Sequence, residues 1–183
     1  MLFRSVPWTN SLDPGCTNFT SHALLAGGYS VKSGTHLGAS DNCWFYIGMS
    51  NRSASWGSVT NFYNFVTWNN SQSNSAPKAT SPFSNSNYPF ISHPKSSSAL
   101  DVGDIIQIKF NSSSGYAYPN YGHNVMMTGE STYQGSLSHI LITGRTRANQ
   151  YKKNVKLNDA YPPAPNTNNG SGKNLYRGIK LSY

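Results

Sequence analysis

The apolar positions of this chain change period along its length. Between residues 15 and 26, Phe19, Ala23 and Leu24 fall roughly one turn apart, and Gly27-Gly28 supplies a stop, so the spacing predicts a helix. Over residues 58–67, Val59, Phe62, Tyr63 and Val66 take the i, i+3, i+4, i+7 positions of a buried helical face behind a Ser58 N-cap. Residues 69–100 are dense in Ser, Asn and Pro and read as a long surface excursion. Beyond them the period shortens. Asp104–Phe110, His123–Thr128, Ser138–Thr143 and Arg177–Tyr183 read as strands. Helices first and strands afterwards predict an α+β domain, with N-terminal helices packed on an antiparallel sheet.

Composition adds bounds. The 183 residues fit one domain, and 37% hydrophobic with 13% aromatic content is enough for a core. Charged residues make up only 11%, and 28 Ser and 21 Asn take their place, a surface commoner outside the cytoplasm. No stretch approaches 18 apolar residues, so membrane insertion is not expected, and the first residues lack the apolar run of a signal peptide. The net charge is +8, and eight of the 14 Lys and Arg lie from Arg145 onward, with Asp159 the one acid there. A positive surface prefers polyanions, and a solvated basic face is the plain alternative. No nucleic-acid-binding motif is present, so nucleic acid is not an expected partner. No spacing of His, Cys, Asp or Glu resembles a zinc site, and no metal or other cofactor is expected.

Cys16 is the first candidate for chemistry. Pro14-Gly15 forces a turn before it, and the predicted helix begins at or just after it. A thiol at a helix N-terminus faces unpaired N–H groups and the positive end of the dipole, both of which favour thiolate. The same N–H groups can hold the oxyanion of a tetrahedral intermediate. The competing reading is a small buried hydrophobe. A thiolate nucleophile needs an imidazole as base, and of the five histidines His123 is the best placed, opening an apolar strand behind a Tyr/Gly/Pro-rich loop. His22 lies on the first helix, on a different side from Cys16, and His36 and His93 fall in loops. Cys43, inside the apolar run Asn42-Cys-Trp-Phe-Tyr-Ile, reads as core, and a Cys16–Cys43 disulfide would abolish the nucleophile. Asp104 reads as turn and strand-entry chemistry.

The run Cys16-Thr-Asn-Phe-Thr-Ser-His-Ala-Leu-Leu-Ala-Gly-Gly resembles the "CTNFVSQ…AGG" signature of the putative amidase domain family, which looks like a branch of the papain-like NlpC/P60 and CHAP cysteine hydrolases. Ser55-Trp56 followed by Val59, Phe62, Tyr63, Asn64 and Phe65 is similar to the family's "SW…V…FYNF" helix. Val102-Gly-Asp-Ile-Ile-Gln resembles its "GDIIQ" strand entry, and Gly122-His123 with Val125 and Thr128-Gly129 its "HSVIVTG" strand. These blocks run in order from about residue 10 to 157. The resemblance implies an NlpC/P60-type papain-like fold, Cys16 as nucleophile and His123 as its partner.

The departures bear on the rest of the site. The family's Asp before the cysteine is Gly15 here, and the Gln of "SQ" is His22. The family's "HT" pair, where a residue orienting the imidazole is expected, corresponds to Arg145-Thr146. A guanidinium has no acceptor for an imidazole N–H, so Arg145 cannot fill that role directly. His139, which shares strand parity with Arg145, and Asn149, or Thr146, are the replacements weighed, beside a bare dyad and a chain that keeps its cleft without activity. Tyr116, Tyr118 and Tyr121, just before His123, are candidates for lining a substrate groove, with Arg145 as a further substrate contact. The expected activity is hydrolysis of peptidoglycan, as an amidase or endopeptidase, by a secreted or wall-associated remodelling enzyme, lysin or toxin, with an inhibitory partner protein in the last case. The alternatives are a peptidase or deamidase acting on proteins, and a non-catalytic wall-binding module.

Overall fold

In a computed structural model of the chain, the described residues are 15–34, 42–48, 50–82, 100–110, 121–130, 140–147, 150–161 and 174–182. Helix α1 spans Cys16–Ala26, and its inward face is unusually polar, burying Thr17, Asn18, Thr20 and Ser21 beside Phe19 and Leu24. Two indoles satisfy that face. Trp56 Nε1 donates to Asn18 Oδ1 at 2.8 Å, and Trp44 Nε1 donates to Ser21 Oγ at 3.1 Å. Ser21 Oγ in turn donates to the Trp56 carbonyl at 3.0 Å. A short antiparallel hairpin, β1 (Tyr46–Gly48) and β2 (Asn51–Arg52), leads into the single turn α2 (Ala54–Gly57). Helix α3 follows at Val59–Asn69, with Ser58 Oγ accepting the Asn61 N–H at 3.4 Å as expected of its N-cap. It buries Val59, Phe62, Phe65 and Val66, three of them positions the periodicity singled out.

Among the described residues the main sheet has six strands, all antiparallel, in the order β3-β8-β4-β5-β6-β7. They are β3 (Ala79–Pro82), β4 (Ile105–Lys109), β5 (His123–Glu130), β6 (Ile140–Arg147), β7 (Gln150–Lys156) and β8 (Leu175–Leu181), with the single turn α4 (Leu157–Ala160) after β7. The domain is therefore mixed α/β with an antiparallel sheet and few helices. The expected surface excursion over 69–100 needs correction in its first part. Asn69, Ala76 and Ala79 are buried, and β3 pairs with β8. The Asn69 amide holds this turn, donating to the Pro77 carbonyl at 3.0 Å and accepting from Asn74 at 2.7 Å. Residues 83–99 lie outside the described part.

Strand alternation divides the core between the two faces of the sheet. On one face Ile105, Met126, Ile179 and Leu181 pack with Leu24, Trp44, Trp56, Phe62, Phe65 and Val66. On the other, Ile106, Ile108, Val125, Met127, Ile140 and Ile142 pack with Leu100, Leu157, Tyr161 and Tyr176. Both faces are thus covered, which the helices-then-strands order did not foresee. Asp104, at the entry to β4, is fully buried. Its two carboxylate oxygens accept the N–H groups of Asp101 at 2.7 Å and Leu181 at 2.8 Å, tying β8 to β4. Burial raises its pKa to about 6 against the pull of those two N–H groups. Among the described residues no helix is long and apolar enough to cross a membrane.

Candidate active site

Cys16 is the first residue of α1. The residue before it, Gly15, is extended and offers no side chain to cap the helix, so the first-turn N–H groups are left uncapped by it. The thiol is free and half-buried, and its Sγ lies 3.9 Å from Thr17 Oγ1. Cys43 is not in a disulfide either and has no exposed surface, as its apolar setting predicts.

His123 is the first residue of β5 and is 4% exposed. Its register partner on β4 is Ile108, so it belongs to the face that carries Val125 and Met127, while Asn124 points to the helix face. There Asn124 Nδ2 donates to Thr17 Oγ1 at 3.2 Å. The residue after the nucleophile candidate and the residue after the base candidate are therefore hydrogen-bonded, and α1 starts at the end of the sheet where β5 starts. The Asn124 side chain is fully buried, and its Oδ1 has no hydrogen-bond partner.

The imidazole sits in an aromatic pocket made by Phe110, with ring centroids 5.8 Å apart, and Tyr161, at 5.2 Å. His123 Nε2 and Tyr161 Oη are 2.7 Å apart. The Lys152 ammonium lies 5.1 Å above the Tyr161 ring. Burial, and then the Lys152 charge, push the His123 pKa down to about 4, so the resting imidazole is neutral at pH 7. Burial, with a smaller contribution from Cys16, pushes the Tyr161 hydroxyl well above its ordinary value.

The other candidates fall in different places. Arg145, on β6, is 4% exposed and lies with its guanidinium 5.3 Å from the ring of Tyr151, its register partner on β7. Phe19 of α1 meets the same ring at 6.4 Å, so Arg145 is on the helix face and not beside the imidazole. Tyr121 stacks on the Arg177 guanidinium at 4.2 Å, and Tyr63 covers that guanidinium's ring-facing side at 3.3 Å. Arg177 Nε donates to Gln107 Oε1 at 3.0 Å, and Gln107 Nε2 donates to the Val59 carbonyl at 2.9 Å, so Tyr121 is braced against the start of α3. His139, Asn149, Tyr116 and Tyr118 lie outside the described residues. His22 is wedged between Tyr46, at 4.8 Å, and Trp56, at 5.1 Å, away from the thiol, with its pKa lowered by burial. Among the described residues no three His, Cys, Asp or Glu side chains form a metal-binding group.

Sequence reasoning missed Tyr161. It lies 38 residues beyond His123 in a Tyr-Pro-Pro run whose only visible signal is turn chemistry. It reaches the imidazole because α4 folds back from β7, with Tyr161 N–H donating to the Leu157 carbonyl at 2.8 Å.

The mixed α/β domain thus carries a half-buried thiol at the start of α1 and a buried imidazole at the start of β5, and the residues that follow them in sequence are hydrogen-bonded to each other. A family model described as the putative amidase domain matches residues 6–166, and the chain belongs to that family. Membership suggests amide hydrolase activity. No curated protein and no solved structure matches the chain.

Proposed function

We propose that this domain is a cysteine-dependent amide hydrolase of papain-like type whose substrate is peptidoglycan. The observation that supports the reading is the Asn124–Thr17 hydrogen bond at 3.2 Å, which joins the residue after Cys16 to the residue after His123. Cys16 Sγ gives its proton to His123 and attacks the amide carbonyl. Charge then develops on the carbonyl oxygen, and N–H groups at the start of α1, aligned with the helix dipole and left without a side-chain cap from Gly15, would hold it. The imidazolium returns the proton to the departing amine. Water, with His123 again as base, hydrolyses the thioester and restores the thiol. The thiol rests beside Thr17, so this step requires it to turn from Thr17 toward the imidazole.

The basic run from Arg145 onward and the Ser/Asn-rich surface suit an anionic cell wall, which supports a secreted or wall-associated setting. The test is digestion of purified peptidoglycan sacculi by the reduced protein and by Cys16→Ala, with released fragments read by mass spectrometry. Release by the wild-type protein alone is expected, and the fragment masses name the bond. No release from folded, reduced protein refutes the wall substrate for the walls tested. Turnover of peptide or glutamine substrates would then assign a protein substrate, and tight binding to sacculi without turnover would assign a binding module.

A further inference from the structure

We propose that Tyr161 is the positioning residue of this site: its hydroxyl oxygen accepts the Nε2–H of His123 and so leaves Nδ1 as the atom that takes the Cys16 proton. The inference rests on the reading of Cys16 and His123 as nucleophile and base. A nucleophile–imidazole pair needs a third group to fix the ring's tautomer and orientation. Arg145, at the strand position where that group was expected, is a permanent donor turned toward Tyr151 on the other face of the sheet. Tyr161 stands at the imidazole itself, 2.7 Å from Nε2.

Its surroundings hold it there. The main chain of residue 161 is clamped at both ends, its N–H by the Leu157 carbonyl and its carbonyl by the Tyr176 hydroxyl. The ring is boxed by Phe110, at 6.0 Å between centroids, and by the Lys152 ammonium, and Lys152 Nζ also donates to the Ala160 carbonyl at 3.4 Å. The Lys152 charge opposes a second positive charge on the imidazole, and burial keeps the phenol protonated, so its hydroxyl oxygen is a neutral acceptor. On proton transfer the S–H bond breaks, the Nδ1–H bond forms, and Nε2–H stays on its nitrogen, donated to Tyr161 throughout. No proton passes to the phenol.

The test is imidazole nitrogen NMR on the full chain, wild type and Tyr161→Phe, run beside the pH dependence of Cys16 alkylation by iodoacetamide in wild type, Tyr161→Phe and His123→Ala. Phenylalanine keeps the main-chain clamp and the ring packing and removes only the hydroxyl. The expected result is the Nε2–H tautomer in wild type, a tautomer mixture in Tyr161→Phe, and an alkylation curve that moves in both variants. In turnover, Tyr161→Phe then loses kcat with little change in KM, within the roughly 10²–10⁴-fold that a positioned acid–base group contributes. An Nδ1–H tautomer in wild type, or an unchanged tautomer in Tyr161→Phe, overturns the role of Tyr161 and leaves the nucleophile–base reading standing. An alkylation curve indifferent to His123→Ala overturns that reading and the positioning role with it.

Discussion

His123 and Asp104 are both buried, and burial moves their pKa values in ways that act oppositely on stability. His123 drops from 6.5 to about 4 on folding. Below pH 6.5 the unfolded chain takes up a proton that the folded chain refuses, so this contribution is whole above pH 6.5 and is lost as the pH falls toward 4. Asp104 rises from 3.8 to about 6. The folded chain protonates first as the pH falls through 6, so stability is gained between 6 and 3.8. At pH 4.5 linkage gives a loss of ~2.5 kcal/mol from His123 and a gain of ~2 kcal/mol from Asp104, relative to pH 7. In the wild-type protein the two nearly cancel. His123→Gln removes the first and keeps the second, so the variant's stability relative to wild type rises by ~2.5 kcal/mol between pH 7 and pH 4.5. Titration of the remaining carboxylates is common to both proteins and drops out of the comparison. Urea unfolding at the two pH values, followed by the fluorescence of the fully buried Trp44 and Trp56, measures it. A variant-minus-wild-type difference that is the same at both pH values would show that the folded imidazole titrates near its ordinary value, and the neutral resting state drawn from its burial would be wrong.

Two further outcomes test the packing around the site. A Cβ on Gly144 would lie 2.8 Å from Val125 Cγ1 and 3.6 Å from the Asn124 carbonyl, so Gly144→Ala overpacks the β5–β6 contact and is expected to cost ~1–3 kcal/mol in urea unfolding, with Val125→Ala in the same chain relieving part of it. Ser21→Ala removes both the acceptor for Trp44 Nε1 and the donor to the Trp56 carbonyl, leaving two buried polar groups unpaired, and is expected to lower stability by ~1–3 kcal/mol while leaving the Cys16 alkylation rate unchanged.

What could be read from the chain alone follows from which segments are buried on one side only. Helix α3 was legible because Val59, Phe62 and Val66 repeat at helical spacing, and β4 and β5 because they are apolar runs closed by turns. Strand β7 was missed because Gln150–Lys156 is an edge strand whose residues are mostly exposed and polar, so no alternation survives in the sequence. Strand β3 was missed because it is four residues set within a Ser/Asn/Pro-rich stretch. Cys16 and His123 could be singled out by local context and by resemblance. Tyr161 could not, since what makes it a neighbour of His123 is the reversal of the chain at α4. Asn124 was in plain view beside His123, but its bond to Thr17 depends on which face of β5 meets α1.

The position of β8 has a consequence for how this domain can be made. Leu175–Leu181 lies between β3 and β4, not at an edge, and Ile179 and Leu181 fill the helix-side core. The ribosome must therefore deliver residue 181 before β3 has a partner or β4 its second one. Until then the apolar edge of β4 and the underside of α3 stand open, so the nascent chain is expected to depend on holdase chaperones or on delayed folding. The strand also lies beyond residue 166, where the family match ends, so a fragment cut at that boundary would lack an interior strand of its sheet. Truncations meant to isolate the amidase-like domain need to run through residue 182, whose carbonyl accepts the Tyr29 hydroxyl at 2.7 Å.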